Sequence, residues 1–214
     1  MHVGVDEAGK GPVLGSMFVA ALRIDPDAIP DAVGDSKRLS ADRREALAPA
    51  IRDSAAAVSI IEVPTERIDD PATDMNGLTA RAHAAALEDV RDPATPIYLD
   101  AADTNVVRFE QRVESHLDGP GDGADLRAEH GADESHPVVS AASILAKVER
   151  DTHVDRLAEE YGAVGSGYPS DETTREFLRT YVAEHRELPD CARTSWQTSK
   201  DVLGDLHQAS LGEF

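Results

Sequence analysis

Val3-Gly4-Val5-Asp6-Glu7-Ala8-Gly9-Lys10-Gly11-Pro12 carries an apolar strand straight into two adjacent carboxylates and a Gly-Lys-Gly loop. Carboxylates hold hard divalent cations. A glycine-rich turn brings backbone N–H groups close to a phosphate. The segment therefore points to metal-assisted chemistry on a phosphate ester. Two other readings compete. Gly4 to Lys10 matches G-x-x-x-x-G-K, the start of a nucleotide-binding P-loop. Against it, Gly11 stands where a Mg²⁺-binding hydroxyl belongs, and Asp6 and Glu7 would lie inside the phosphate cradle. Val13 to Leu22 also reads as a buried strand, not as the helix a P-loop needs. The plainer alternative, a hairpin turn with solvated charges, stays open until further carboxylates join the pair.

Outward from this stretch, Val, Ile and Leu enrichment predicts strands at about residues 2–6, 13–24, 56–63 and 96–100, with a weaker one at about 125–130. Ser40 is placed to cap a helix to about residue 52, and Asn76 another to Val90. A further helix is expected at about residues 104–116, followed by a turn at Asp118-Gly119-Pro120-Gly121-Asp122-Gly123. A long helix is predicted from Val138 to Tyr161, opening on the small residues Ser140-Ala141-Ala142-Ser143. A Gly-rich loop follows to Pro169. Asp171 caps a helix to about His185, and Ser195 starts a last one that ends near Gln208. Consecutive strands followed by βα alternation predict an α/β fold, a mixed central sheet flanked by helices.

The chain has 214 residues, enough for one domain with a sizeable core. Its 41 acidic and 21 basic residues give a net charge of −20, spread along the whole length. With 41% apolar residues it is not a disordered acidic chain. A folded domain with a solvated acidic shell fits, as expected in a salt-rich cytoplasm. Such a charge disfavours nucleic acid as a partner. At high salt, however, long-range repulsion is screened and short contacts decide. No apolar segment reaches membrane-span length and no signal-peptide pattern opens the chain, so a cytoplasmic location with no membrane partner is expected. The single Cys191 excludes an internal disulfide.

Two more acids stand at element ends. Asp100 closes the run Pro96-Ile97-Tyr98-Leu99, and Asp133 precedes the long helix. Sheet topology can bring such ends together, and four carboxylates suffice for two hard cations about 4 Å apart, an arrangement that activates water and stabilises a leaving oxygen. Each acid alone also reads as a cap or a solvated charge. Asp103 is well placed as an N-cap, and Asp133-Glu134 would complement a helix dipole. The eight histidines form no H-E-x-x-H, and there is no G-x-S-x-G, so zinc and serine hydrolases are unsupported. Gly165-Ser166-Gly167 reads as a flexible turn.

Taken in order, the motifs resemble a known family. Asp6 to Gly15 is similar to the D-E-A-G-[RK]-G-P opening of ribonuclease HII, the type 2 ribonuclease H. Gly34-Asp35-Ser36-Lys37-Arg38-Leu39-Ser40 resembles its D-S-K segment, and Tyr98 to Asp103 its central strand. Ala132-Asp133 and Val138 to Asp151 resemble its fourth acid and the helix after it. Gly165 to Asp171 and Arg193-Thr194-Ser195-Trp196 look like its later archaeal segments. The resemblance covers nearly the whole chain and, with the acidic composition, looks archaeal and halophilic.

The resemblance implies an RNase H-like fold, with a catalytic domain over residues 1–194 and a C-terminal helical extension over 195–214. It implies an endonuclease that cuts the RNA strand of RNA–DNA hybrids and duplex DNA at embedded ribonucleotides, leaving 3′-hydroxyl and 5′-phosphate ends. Mn²⁺ or Mg²⁺ is the implied cofactor, two ions per site. Asp6, Glu7, Asp100 and Asp133 carry over as the metal-binding catalytic set. Gly9, Lys10 and Gly11 match the loop that senses the ribose 2′-hydroxyl, and Tyr168 matches a tyrosine that packs on the sugar at the RNA–DNA junction. Lys37 and Lys147, two of only four lysines, fall inside matched segments and are candidate substrate contacts. Lys10 departs from the more frequent Arg, which removes a bidentate phosphate contact. The acidic loop at 118–124 reads as an insertion. A monomer is expected, with a sliding clamp as a partner through Gln208, Leu211 and Phe214. The rival readings are another two-metal nuclease of the same fold and a non-catalytic nucleic-acid-binding module.

Overall fold

A computed structural model of the chain describes residues 1–93, 95–117 and 125–211, the side chains of 35–38 and 207–211 excepted. Five strands form one sheet: β1 (His2–Ala8), β2 (Met17–Ile24), β3 (Ala57–Val63), β4 (Ile97–Asp100) and β5 (Leu126–Glu129). Their order across the sheet is β3-β2-β1-β4-β5. β1, β2 and β3 pair antiparallel, and β4 and β5 run parallel to β1. The helices are α1 (Ala41–Ser54), α2 (Thr65–Ile68), α3 (Met75–Glu88), α4 (Val106–His116), α5 (Ala132–Ser135), α6 (Pro137–Tyr161), α7 (Glu172–His185) and α8 (Gln197–Leu211). This is the mixed, helix-flanked sheet expected from the sequence.

Alternation along the central strands builds a core on each face. Val3, Val5, Met17, Val19 and Ala21 meet α3 and α4 on one side, through residues such as Leu78, Leu87, Phe109 and Val113. Ala20, Leu22 and Ile24 meet α6 and α1 on the other, through Val138, Val139, Ile144, Leu145 and Ile51. Gly4 sets how closely α6 approaches. A Cβ there would lie 2.4 Å from the carbonyl oxygen of Val138, so only glycine lets the helix lie directly on β1. No helix of the described residues is long and apolar enough to cross a membrane.

A third cluster sits beyond the sheet. Val13, Leu14, Leu157, Val164, Leu178, Val182 and Val202 join the end of α6 to α7 and α8. It corrects the strand expected at 13–24. Gly15 has φ +78° and breaks the extended run, so β2 starts only at Met17. Val13 and Leu14 instead donate their N–H groups to the Gly167 carbonyl, and Leu14 bridges to Ala192.

Ser40 and Asp171 cap α1 and α7 as expected. Two other caps differ. α3 is capped by Asp74, whose carboxylate accepts the Gly77 N–H at 2.9 Å, and Asn76 lies in the first turn. α4 is capped by Asn105, while Asp103 turns inward to accept from Asn105 N and from the Arg108 guanidinium. A short polar side chain two residues nearer each helix took the capping role in one case and two residues farther in the other. The 118–124 loop, the Lys37 side chain and the Gln208, Leu211 and Phe214 side chains lie outside the described residues.

Candidate active site

Strand register assembles the acids. The parallel pairing of β1 and β4 places Val5 beside Leu99, so Asp6 and Asp100, one residue further on, are neighbours. Asp100 Oδ1 accepts the N–H groups of Gly131 at 2.8 Å and Ala132 at 3.2 Å. That clamp fixes the start of α5 and brings Asp133 to the same place. One carboxylate oxygen each from Asp6, Asp100 and Asp133 lies within 4.8 Å of the others.

Glu7 is set apart from this trio. Successive side chains on a strand face opposite sides. Asp6 meets α6, where it is hydrogen-bonded by Ser143, and Lys147 Nζ donates to Ser143 Oγ at 2.7 Å. Glu7 meets α3, where its Oε2 lies 2.9 Å from Nε2 of the buried His83. Glu7 still adds its negative charge to both Asp6 and Asp100.

The trio is electrostatically uncomfortable on its own. Burial, then the charge of Glu7, pushes the Asp6 carboxyl well above its ordinary range, against the Ser143 hydrogen bond and the Lys147 charge. Burial also raises Asp100, with Glu7 and Asp133 adding to it, although the Ala132 and Gly131 N–H groups pull the other way. Three converging carboxylates with incomplete compensation are a hard, all-oxygen donor set of the kind Mg²⁺ or Mn²⁺ takes. The residues fit a divalent metal.

Beside the acids runs the Gly9-Lys10-Gly11 loop. Gly9 has φ +89°, and a Cβ on it would lie 2.9 Å from the Ser16 carbonyl oxygen. Lys10 Nζ is held by Asn76 Oδ1 at 2.9 Å and by the Ala102 carbonyl. The outer edge of Gly11 faces Tyr168: a Cβ on Gly11 would stand 3.7 Å from the tyrosine ring. Tyr168 is 43% exposed, which removes core packing as its role. Its ring is backed by the guanidinium of Arg150, 5.6 Å from the centroid, and Arg150 donates to the Ser166 carbonyl at 2.5 Å. Asp6, Asp100, Asp133, the loop, Tyr168 and Lys147 thus share one region, with Glu7 on its α3 side.

Several residues of the site were not picked out by sequence. The sequence marks Ser143 only as a small packing residue. His83 carries no signal among the alanines of α3. Asn76 reads as a helix cap. Arg193 lies inside the matched Arg-Thr-Ser-Trp segment, yet nothing in a linear string says that its side chain is buried under the loop.

The comparisons with known proteins agree with this geometry. A family model described as Ribonuclease HII matches residues 3–199. The Ribonuclease HII of Halobacterium salinarum is 58% identical over 214 residues, covering 99% of this chain and 98% of that protein. The crystal structure of the ribonuclease H2 from Pyrococcus horikoshii OT3 superposes with a TM-score of 0.88 at 36% identity, over 96% of this chain and 98% of the other. RNase HII in the PCNA:RNase HII complex from Archaeoglobus fulgidus gives a TM-score of 0.83 at 38% identity, over 94% and 96%. With its RNase H-like fold and its converging acidic cluster, the chain belongs to the ribonuclease HII family and is a metal-dependent hydrolase of the ribonuclease H class.

Proposed function

We propose that this chain cuts the RNA strand of RNA–DNA hybrids and cuts duplex DNA at embedded ribonucleotides, leaving 3′-hydroxyl and 5′-phosphate ends. The observation that carries the reading is the convergence of Asp6, Asp100 and Asp133 beside a glycine loop that abuts an exposed tyrosine. Asp6, Asp100 and Asp133 would hold Mn²⁺ or Mg²⁺, two ions in all, with Glu7 completing the set. Such ions, when bound, supply water activation and neutralise charge at the phosphate.

The remaining work falls to the chain itself. Asp100 holds α5 in place and so keeps Asp133 on the site. Lys147, through Ser143, puts a positive charge behind Asp6. With Lys10 Nζ engaged by Asn76 and Ala102, the loop reads substrate through its N–H groups. A 2′-hydroxyl, donor and acceptor at once, is the group that separates RNA from DNA there. The Tyr168 ring would pack on the neighbouring deoxyribose and disfavour an extra hydroxyl. Lys37 is retained as a phosphate contact on the family match alone.

The biological setting is removal of misincorporated ribonucleotides and RNA primers in the cytoplasm of a salt-adapted cell, by a monomer. The acidic shell and the likeness to a Halobacterium protein support the salt adaptation. A sliding clamp is a partner supported by the Archaeoglobus complex, through the helical extension at 195–214.

The test is cleavage of a duplex bearing one ribonucleotide, in high KCl with Mn²⁺. Asp6→Asn and Asp100→Asn are expected to abolish cutting while the protein still folds cooperatively. Wild-type-like cutting by either variant, or equal cutting of an all-DNA duplex by the parent, would overturn the reading.

A further inference from the structure

Arg193 is the bulkiest fully buried side chain among the described residues. No described carboxylate forms an ion pair with it. Burial, with the positive charge of Arg150 adding to it, draws its pKa down to about 10. A buried cation without a paired charge is an expensive feature, kept only where its hydrogen bonds do something. All three of its nitrogens donate to main-chain carbonyls of one segment: Nε to Gly15 at 2.9 Å, Nη1 to Lys10 at 2.9 Å and Nη2 to Gly9 at 2.5 Å. Its guanidinium lies over the Trp196 ring, 4.9 Å from the centroid. Trp196 Nε1 in turn donates to the Gly11 carbonyl at 3.3 Å. The carbonyls of Gly9, Lys10 and Gly11 are therefore each held from below by a side chain of one short segment.

That segment is itself fixed. Asp69 accepts from Thr194 N at 2.6 Å, Thr194 Oγ1 at 3.0 Å, Ser195 N at 2.9 Å and Ser195 Oγ at 2.5 Å. Burial raises the Asp69 carboxyl, but these four bonds outweigh it and hold the group below its ordinary value.

A trans peptide is planar, with its C=O and N–H on opposite edges. A carbonyl pulled inward sends the next residue's N–H outward. Anchoring Gly9 and Lys10 thus turns the N–H groups of Lys10 and Gly11 away from the core, and neither donates to another described main-chain or side-chain group. We propose that Arg193 is a positioning residue for ribonucleotide recognition: it sets the Gly9-Lys10-Gly11 peptides so that two free N–H groups face the substrate sugar and phosphate. The proposal rests on the functional reading above and deepens it, by naming what holds the 2′-hydroxyl reader in shape. Backbone donors cannot be mutated away, so this side chain is the handle on them.

The experiment is done in an Asp100→Asn background, to separate binding from turnover, in high KCl with Mn²⁺. Affinity is measured for a duplex with one ribonucleotide and for the same duplex in all-DNA form. If the background shows no preference for the ribonucleotide duplex, the functional reading fails, and with it the premise for Arg193. If it does, adding Arg193→Gln is expected to lower the preference about tenfold, the worth of one charge-assisted hydrogen bond, with the all-DNA affinity falling less than that of the ribonucleotide duplex. Arg193→Lys, with a point charge in place of a three-way fork, is expected to recover only part of it. Should Arg193→Gln fail to fold, Trp196→Phe carries the test, since it keeps an aromatic ring under the guanidinium and removes the bond to Gly11. An unchanged preference in a folded Arg193→Gln protein, or in Trp196→Phe where that variant stands in, would overturn the proposal, because a merely structural arginine would move stability and leave the ratio alone.

Discussion

Glu7 and His83 meet across β1 and α3, with Oε2 of the glutamate 2.9 Å from Nε2 of a fully buried histidine. The ring also packs edge-on against Phe109, with centroids 5.1 Å apart. A carboxylate can only accept, so Nε2 carries the proton, and Nδ1 is left without a partner in the core. His83 thus fixes where the Glu7 carboxylate sits relative to the trio of aspartates. Groups that orient metal-site carboxylates typically matter by 10- to 100-fold, so His83→Ala is expected to lower kcat/KM by about that factor. His83→Gln can still donate and is expected to recover much of it. Mn²⁺ affinity measured calorimetrically in the same variants should fall and recover in parallel.

Metal-free stability should depend on pH in a defined direction. Burial, then the charge of Glu7, raises Asp6, and burial first raises Asp100. The unfolded chain releases these protons at ordinary values of about 3.9. Between those values and the raised ones the folded state holds the extra protons. The contribution of this pair is therefore most favourable below the ordinary carboxyl range and is lost as pH rises through the window. Divalent metal reverses the loss, adding about 2.7 kcal/mol at a hundredfold excess over Kd. Denaturant unfolding in high KCl, with chelator or with Mn²⁺, should show both effects. Asp6→Asn should blunt both at once.

The placing of Asp6 and Asp100 was legible because apolar runs mark strand ends, and Asp133 because it precedes a long helix. The sequence groups Asp6 and Glu7 as one pair, whereas the two-residue period of β1 turns them to opposite faces. What a linear string lacks is the neighbour on the far face. His83 sits in an alanine-rich helix whose pattern does not single it out. Arg193 stands in a segment matched to the family, but nothing beside it marks it as buried, since its acceptors are carbonyls from the other end of the chain. Val13-Leu14 looked like strand because it is apolar. The third cluster uses that same apolarity for a loop, and the conformation of Gly15 enforces it.

Gly4 is the tightest point between sheet and helix. A Cβ there would stand 2.4 Å from Val138 O and 2.7 Å from Val139 N, both backbone atoms that cannot rotate away. Gly4→Ala is expected to destabilise by about 3 kcal/mol, read from the midpoint of denaturant unfolding in high KCl. Gly204→Ala in α8 supplies the contrast. Its Cβ meets nothing within 4 Å, so replacing a helical glycine should stabilise by about 1 kcal/mol.

Tyr168 is a large aromatic left 43% exposed at the edge of the glycine loop. The loop holds it there: Gly167 N donates to Thr174 Oγ1 at 2.9 Å, and the Gly167 carbonyl accepts from Val13 and Leu14. Arg150 supports the ring from one side, so the free face is the one that a substrate sugar or base can cover. Such aromatic contacts are worth about 1–3 kcal/mol by alanine substitution, so Tyr168→Ala is expected to lower kcat/KM on a single-ribonucleotide duplex by about 5- to 150-fold. Tyr168→Phe keeps the ring and should stay within a few-fold of the parent, about 1 kcal/mol or less. A long RNA–DNA hybrid has no junction at most of its cleavage positions, so its loss should be smaller than that of the embedded ribonucleotide. Equal losses on the two substrates would place Tyr168 in general backbone binding and remove it from junction recognition. Because its side chain supports no core cluster, the melting transition of both variants should match the parent, which leaves the kinetic difference to the contact itself.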